Sequence, residues 1–266
     1  MKADALTFTE KKPIDVFRTM SHCIPFEQKQ LTPDPESVLR QMGVPRRATI
    51  SAGARILAEE AVDELEQNLE PAGILMEISR HDFADIFKGE AQNASETPLE
   101  LIFPQAQALA VYALTMGAKV CMRIDDLFKS GDVALGGALD AAASWAANRG
   151  AAIGENFFHE TLSRQGQLQE NDCVLAYSPG YCGWHVSGQR QIFSHLRPET
   201  LGITLNDSYL MSPVKSVSGV MVAGKREINY YKPQWGFCNE CVTFSCLQRM
   251  KQLKNAAKAK PDNEKQ

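Results

Sequence analysis

The hydrophobic pattern of the chain changes at Gln165, and this change constrains the fold more than any other feature. Before it, apolar residues recur at helical spacing, and an Ala-rich run predicts one long helix from about Val133 to Leu162. After it, short β-prone runs alternate with turn signals. These are Cys173–Tyr177, Leu201–Leu205 and Val217–Val222, with one helix at Ser187–Leu196 among them. The sequence therefore predicts an α+β fold, with a helical N-terminal half and a twisted antiparallel sheet with flanking helices.

The N-terminal half contains further predicted elements. A helix should begin at Ser51, because apolar residues follow it at spacings of three and four until Pro71. The run Ala108–Met116 is compatible with a helix or with a buried strand, because periodicity alone does not separate the two. The polar segment His81–Pro98 is predicted to be a loop. The other predictions are a short helix at Glu36–Met42, a strand at Ile74–Ile78 and a helix from Ala118 to Phe128.

Composition divides the chain into four segments. Residues 1–35 are rich in Pro, Lys and Thr and are predicted to be an irregular lead-in. Residues 36–235 should form the α+β domain. A Cys-rich segment with a C-terminal helix is predicted at 236–258, and the polar residues 259–266 are expected to be disordered.

Charge and composition exclude several classes of protein. The 266 residues are 44% hydrophobic and 23% charged, with a net charge of -4, as in globular proteins with a real core. The mild acidity argues against nucleic-acid binding, since phosphate-neutralising surfaces need clustered Lys and Arg. The most apolar stretch, around Leu101–Val120, is broken by Pro104 and Lys119, so no membrane span is expected. No apolar segment follows Met1, so the expected location is the cytoplasm.

The sequence carries no motif of a common enzyme class. It has no Gly-rich dinucleotide fingerprint, no phosphate loop, no zinc-protease helix and no serine-hydrolase elbow. Its five histidines are scattered along the chain. Catalytic residues are therefore unknown from the sequence.

Several longer stretches resemble a known family when they are taken in order. Tyr177-Ser-Pro-Gly-Tyr181 is followed by a helix, then by Leu201-Gly-Ile-Thr-Leu205 and Met211-Ser-Pro-Val-Lys-Ser-Val-Ser-Gly219. Upstream lie Tyr112-Ala-Leu-Thr-Met-Gly117, Arg123-Ile-Asp-Asp-Leu-Phe128, Gly131-Asp-Val-Ala-Leu-Gly-Gly-Ala-Leu-Asp140 and Val38-Leu-Arg-Gln-Met-Gly43. Over about residues 36–222 the chain resembles the activation domain of cobalamin-dependent methionine synthase, as a free-standing member with an added C-terminal cysteine cluster.

The resemblance implies that the domain holds S-adenosylmethionine in a shallow groove and caps a cobalamin domain on another module. One electron and the methyl group of the sulfonium then restore methylcobalamin from the inactive cob(II) state. The cofactor-binding positions implied are Ala176, Ser178, Pro179, Gly180 and Tyr181. Without the resemblance, Pro179-Gly180 is more often an ordinary turn joining a strand to a helix.

One position departs from the family pattern. The family places an Arg four residues before the motif glycine, where it binds the carboxylate of S-adenosylmethionine, and here that position is Ala176. Loss of a charge-assisted bidentate contact costs roughly 1.5–3 kcal/mol, or about tenfold to a hundredfold in affinity. Weak S-adenosylmethionine binding is therefore predicted, unless Arg190, Arg197 or Lys215 supplies the charge.

Three of the seven cysteines crowd together near the C-terminus, as Cys238, Cys241 and Cys246. An odd number of cysteines in a chain with no export signal argues against disulfides, and this spacing predicts a metal site. Cys182 is favoured over Cys173 as the fourth ligand, because the turn before it should point its side chain outward. An iron–sulfur cluster, which can deliver a single electron, is preferred to a structural zinc ion. The alternative is that these cysteines are unligated thiols.

Together these observations predict a protein that reactivates or caps a corrinoid protein or a cobalamin-dependent methyltransferase. Its partners would be that protein and an electron donor, with no nucleic acid and no membrane. Its cofactors would be cobalamin and an iron–sulfur cluster or zinc, with S-adenosylmethionine bound weakly or not at all. The alternative is a non-catalytic corrinoid-binding or escort module with a structural zinc site.

Overall fold

A five-stranded antiparallel sheet lies at the centre of the protein. The computed structural model describes residues 21–169 and 171–230. The strands are β1 (Ser21–Cys23), β2 (Ala72–Ile78), β3 (Ala108–Thr115), β4 (Asp172–Tyr177), β5 (Thr204–Leu205), β6 (Met211–Ser212) and β7 (Ser216–Lys225). The large sheet has the order β1-β2-β3-β7-β4 with every neighbouring pair antiparallel, while β5 and β6 pair separately.

Helices cover both faces of this sheet. They are α1 (Gln28–Leu31), α2 (Pro35–Gln41), α3 (Ala52–Asn68), α4 (Arg80–Lys88), α5 (Pro98–Ile102), α6 (Ala118–Ser130), α7 (Val133–Arg164) and α8 (Gly188–Leu196). Short 3-10 turns occur at Phe103–Gln105, Pro198–Leu201 and Arg226–Asn229. The first apolar core joins one sheet face to α1, α2, α3, α6 and α7, and the second joins the other face to α4, α5 and α8. The predicted α+β class is confirmed.

The central strand β3 explains why the run Ala108–Met116 was ambiguous in the sequence. Successive side chains of a strand point to opposite faces, and here Ala110 and Tyr112 enter the first core while Leu109 and Val111 enter the second. A strand buried on both faces has no polar alternation and therefore has a continuous apolar sequence.

The long helix α7 crosses the first face of the sheet at very short range. A Cβ added to Gly154 would lie 2.6 Å from Cε of Met221, and one added to Gly150 would lie 3.1 Å from Cε of Met116. Glycine at these positions therefore leaves room for the ends of the Met116 and Met221 side chains between the helix and the sheet. Although α7 has 32 residues, no helix among residues 21–169 and 171–230 has the length and apolarity needed to cross a membrane.

The helix starts follow the capping residues seen in the sequence. The Ser51 side chain accepts a hydrogen bond from the Ala54 backbone N–H at 3.2 Å and begins α3. Asp132 accepts from the N–H of Leu135 in the same way and begins α7. Ile56 is one of the apolar residues on which the α3 prediction rests, and its expected burial is wrong, because its side chain is 61% exposed.

The prediction of a loop at His81–Pro98 is wrong, because α4 occupies its first part. Ser79 accepts from the Asp82 N–H at 3.0 Å and its hydroxyl donates to the Asp82 carboxylate at 2.7 Å, which starts the helix. Phe83, Ile86 and Phe87 then follow at spacings of three and four and are all buried. The polar run Arg80-His81-Asp82 before them, together with Asp85, hid this spacing in the sequence.

Two other segments differ from the sequence prediction. Residues 21–35 were predicted to be part of an irregular lead-in, but they form strand β1, helix α1 and the first residue of α2, Pro35. With β1 included, three of the five strands of the large sheet come from the N-terminal half. The strand predicted at Leu201–Leu205 is only two residues long, because Gly202 has φ of +73° and ends a 3-10 turn before β5.

An aromatic cluster ties α4 to the segment that follows β4. The ring of Phe83 meets Trp184 edge to face with centroids 5.6 Å apart, and it meets Phe103 in the same way at 5.1 Å. Phe87 packs against the same two rings. Edge-to-face pairs add to the free energy gained by burial, so this cluster should be a major stabilising contact of the second core.

We expect Phe83→Ala to lower the free energy of unfolding by about 3–5 kcal/mol, the usual cost of removing a fully buried aromatic ring. Phe128→Ala is the matched control, because Phe128 is 43% exposed and leaves a smaller cavity. Urea denaturation followed by circular dichroism measures both. Equal losses in the two variants would contradict the placement of α4 in the core.

Candidate ligand-binding groove

A groove of about 420 Å³ opens beside the edge strand β4, on the face covered by α7. Its walls are the middle of α7, the end of β4 with the turn after it, and the start of β7. Met211 of β6 also contributes to the lining. Three parts of the sequence that lie far apart therefore meet at one site.

Helix α7 supplies one wall through a single helical stripe. Asn148, Ala151, Ala152 and Glu155 are spaced three, four and seven residues apart, so they lie on the same face and all line the groove. The two alanines leave the space that larger side chains would fill. An oxygen of the Glu155 carboxylate accepts a hydrogen bond from the Ala176 backbone N–H at 2.6 Å, which joins the helix to the strand edge.

Strand β4 supplies the second wall through Ala176 and Tyr177. Tyr177 is buried, and its hydroxyl donates to Oδ1 of Asn229 at 2.7 Å. Its backbone carbonyl lies against Gly219 of β7, where an added Cβ would come within 2.1 Å of that oxygen. Glycine at 219 is therefore required for the close pairing of the two strands at the groove.

The turn after β4 shapes the mouth of the groove. The Tyr181 N–H donates to the Ser178 carbonyl at 3.2 Å, and the Gly180 N–H donates to the Trp184 carbonyl at 2.7 Å. Gly180 has φ of +90°, a conformation that favours glycine. Tyr181 is 50% exposed at the mouth, although it is a large aromatic side chain.

The turn after β4 is held in place by packing and hydrogen bonds on its second-core side. Trp184 is buried in the aromatic cluster, and an added Cβ on Gly188 would lie 2.3 Å from its Nε1. Asn93 accepts from the His185 N–H at 2.9 Å, and the Ala94 N–H donates to the Gly183 carbonyl at 2.9 Å. A loop held by a buried ring and backbone hydrogen bonds should keep its shape when a ligand binds.

The structure places the predicted cofactor-binding residues together. Ala176, Ser178, Pro179 and Tyr181 line the groove, and Gly180 lies in the turn that carries them. Sequence reasoning missed Tyr112, Asn148, Glu155, Gln189 and Ser218, which line the groove as well. The wall formed by α7 could have been predicted from Asn148 and Glu155, because two polar residues seven positions apart in an Ala-rich helix lie on the same helix face.

None of the three proposed replacement cations lines the groove. Arg190 pairs with Glu90 at 3.0 Å and lies 4.9 Å from the ring centre of Tyr209. Lys215 pairs with Asp140 at 2.7 Å and donates to Ser144 at 2.9 Å. Arg197 ends α8 in a left-handed conformation and is exposed.

The charge of the groove follows from these placements. Among the lining residues that the structure describes, Glu155 is the charged one, and no Lys or Arg is present.

The hydroxyl of Tyr209 donates to the Glu90 carboxylate at 2.9 Å, and this bond raises the pKa of Tyr209. The Glu90–Arg190–Tyr209 cluster is thus a separate surface contact.

The predicted metal ligands are only partly described. Cys182 lines the groove, while Cys238, Cys241 and Cys246 lie outside the described residues. Within the described ranges, no group of three or more His, Cys, Asp or Glu side chains is arranged to hold a metal ion.

The reason given for preferring Cys182 to Cys173 is wrong. Cys182 has φ of +52° and is only 7% exposed, packed in the second core rather than pointing outward. Cys173 is the more accessible of the two, although burial still raises the pKa of its thiol. Its sulfur accepts a hydrogen bond from the Asn229 amide at 3.7 Å.

Comparison with known proteins finds similarity to the same family that the sequence motifs resemble. Residues 155–234 match the family model described as "Vitamin B12 dependent methionine synthase, activation domain". A search of curated protein sequences gave no match. Among solved structures, the fold is similar to a crystal structure of the MetH reactivation domain bound to AdoHcy, with a TM-score of 0.50 and 17% identity, covering 82% of this chain and 83% of that one.

The matched segment contains Glu155, β4, the Pro179-Gly180 turn and β7, which together form most of the groove. The fold likeness extends over the helices and strands outside that segment. Residues 155–234 are therefore similar to the activation-domain family of vitamin B12-dependent methionine synthase, and the fold of the larger part of the chain is similar to that of the MetH reactivation domain.

Proposed function

We propose that this protein docks on a corrinoid-binding protein or methyltransferase and helps to return its cobalt to the active state. The observation that carries the proposal is the Ser178–Tyr181 turn, which holds a half-exposed aromatic ring at the mouth of a groove and is fixed from behind. Exposed aromatic rings on rigid supports are typical of binding surfaces. The family match supports a corrinoid as the group on the partner.

The groove itself is proposed to hold an S-adenosyl ligand. The related solved domain has AdoHcy bound. Here the small side chains of Ala151, Ala152 and Ala176 leave a shallow space against the β4 backbone, which suits a flat ring, and Ser178 also lines the groove. S-adenosylmethionine would supply the methyl group, and the chain's own residues would bind it and orient it toward the partner.

We expect Tyr181→Ala to impair reactivation of the partner while leaving stability nearly unchanged, because a half-exposed ring contributes little to the core. Reactivation is measured as the rate at which the cob(II) spectrum of the partner disappears, and stability as the melting temperature. Tyr181→Phe, which keeps the ring, is the control and should retain most of the rate. A large drop in melting temperature would instead favour a purely structural turn.

Affinity for S-adenosylmethionine should be weak, because the groove lacks a cation at position 176 and no described lining residue replaces it. Ala176→Arg should tighten binding by about tenfold to a hundredfold, since it restores a charge-assisted pair with the ligand carboxylate. Ala176→Leu adds bulk without charge and is the matched control. Calorimetry checks all three proteins, and a sub-micromolar dissociation constant for the unchanged chain would contradict the prediction.

We further propose that Cys182 and the three C-terminal cysteines, Cys238, Cys241 and Cys246, share one metal site. Four thiolates satisfy the tetrahedral preference of iron–sulfur clusters and of structural zinc. The position of Cys182 on the groove supports an iron–sulfur cluster close to the corrin, where it would carry the required electron.

Replacing each of these four cysteines with serine should lower the bound iron or zinc, whereas Cys121→Ser should not, because Cys121 lies on α6 outside the groove. Metal content by mass spectrometry of anaerobically purified protein is the measurement. If Cys182→Ser keeps its metal while Cys241→Ser loses it, the fourth ligand is another residue. An absorption that bleaches with dithionite would identify iron–sulfur rather than zinc.

A second candidate function is a non-catalytic corrinoid escort with a structural zinc site. The observation that favours it is the absence of a Lys or Arg among the described lining residues, since such a groove holds a carboxylate poorly. Zinc content with no methyl transfer to the partner would support this alternative.

A further inference from the structure

We propose that the main chain of Ser218 binds a free α-amino-acid group, which takes the place of a strand residue that β4 does not supply there. This assignment rests on the proposed S-adenosyl ligand, since the methionine part of S-adenosylmethionine ends in such a group. Three observations support it: the register of the sheet at the groove, the burial of Ser218, and the lack of a cation among the described lining residues.

Strand β7 extends beyond its partner β4 on the side of the groove. Strand β3 pairs with β7 from its first residue to Ala223, whereas β4 pairs with β7 only from Val220 onward. Residues 216–219 therefore have β3 along one edge and no strand of the described chain along the other. The lining of the groove includes three residues of this stretch, Ser216, Val217 and Ser218.

The main-chain groups of β7 point to these two edges in alternation, as in any antiparallel sheet. The Met116 N–H donates to the Lys215 carbonyl at 2.9 Å, so Lys215 directs its main chain toward the side of β3. Val217 and Gly219 do the same, because they follow at steps of two. The N–H and C=O of Ser218 consequently point to the opposite edge, into the groove.

The N–H and C=O of Ser218 lack the partners that buried main-chain groups normally have. Ser218 is 2% exposed, and neither group forms a hydrogen bond with another described residue. Because Tyr177 pairs with Val220, the register would place Pro179 opposite Ser218, but proline has no N–H and the chain turns away there. The Ser218 hydroxyl is already bonded, since it donates to Oε1 of Gln189 at 3.0 Å. Nearly all buried main-chain groups are paired, so this donor and acceptor indicate a ligand or a water molecule.

A free α-amino acid carries the two groups that this position requires. Its ammonium and carboxylate are joined through one carbon, as are the N–H and C=O of a strand residue, and two paired residues can exchange both hydrogen bonds. The ammonium would donate to the Ser218 carbonyl, and the carboxylate would accept from the Ser218 N–H. Because the described lining has no Lys or Arg, this N–H would hold the carboxylate without a cation.

The open edge favours a single amino-acid group over a peptide strand. Four residues of β7 span only about 13 Å, and the Ser178–Tyr181 turn lies at one end of this stretch. An ammonium group has three N–H donors and no preceding residue, so the rest of the ligand is not held to the strand direction. It can therefore follow the groove past Ala151 and Ala152.

Nuclear magnetic resonance of the intact chain tests the contact directly. Labelling with ¹⁵N-serine shows the Ser218 amide, and Ser218→Ala identifies its signal by removing it. We expect S-adenosylmethionine to move this amide proton downfield, as a new hydrogen bond does. Decarboxylated S-adenosylmethionine lacks the accepting carboxylate and should move it far less. Ser130, at the end of α6 and outside the groove, is the reference and should not move with either ligand.

Calorimetry with the same two ligands measures the effect on affinity. Ser218→Pro removes the N–H that faces the groove and keeps the bonds of its neighbours to β3, and proline is tolerated at a strand edge. This variant should lose about tenfold or more of the preference for the ligand with a carboxylate, the usual effect of one hydrogen bond to a charged group. Ser218→Ala keeps the N–H and should retain the preference. The melting temperature shows whether each variant folds, and if Ser218→Pro does not, the amide signal of the unchanged chain decides.

The outcomes separate this contact from the proposed ligand. If S-adenosylmethionine binds without moving the Ser218 amide, or moves it no more than the decarboxylated ligand does, the contact is overturned while the proposed ligand stands, and water is then the partner of this N–H. If neither ligand binds the unchanged chain at millimolar concentration, the proposed ligand is overturned and the contact with it.

Discussion

The close contact between α7 and the sheet determines the dimensions of the rest of the molecule. Gly150 and Gly154 bring the helix backbone onto the side chains of Met116 and Met221, and a Cβ at Gly154 would have to displace the end of the Met221 side chain. On the neighbouring side of the same helix, the small residues Ala151 and Ala152 do not fill the space beside β4, and a groove remains there. Packing and the shape of the groove therefore depend on the same run of small side chains.

Much of the fold could be predicted from the sequence because local signals and tertiary contacts agree there. Ser51 and Asp132 cap helices that were expected, and β4 and β7 coincide with the predicted β-prone runs. Helix α4 was missed because it is short and its three buried residues are preceded by the polar run Arg80-His81-Asp82 and interrupted by Asp85. The assignment of β3 as a strand could not be made from the sequence either, because only tertiary packing shows that helices cover both of its faces.

The candidate site could also be predicted from the sequence only in part. The turn around Pro179 was recognised from its residues, because a Pro-Gly pair imposes its own backbone geometry. Glu155 was not, because a carboxylate in a helix ordinarily faces water, and only the pairing of α7 with β4 brings it onto Ala176. The exposure of Cys182 was misjudged for a related reason, since its side chain follows a positive φ that the sequence does not reveal.

The hydrogen bond from Ala176 to Glu155 also bears on how the protein avoids aggregation. Strand β4 lies at the end of the described sheet, and edge strands present backbone N–H groups that can recruit a strand from another molecule. The Glu155 carboxylate occupies one of these donors and places a negative charge beside the edge, where an incoming strand would have to bury it. One side chain of the groove wall should thus also disfavour pairing of this edge with another strand.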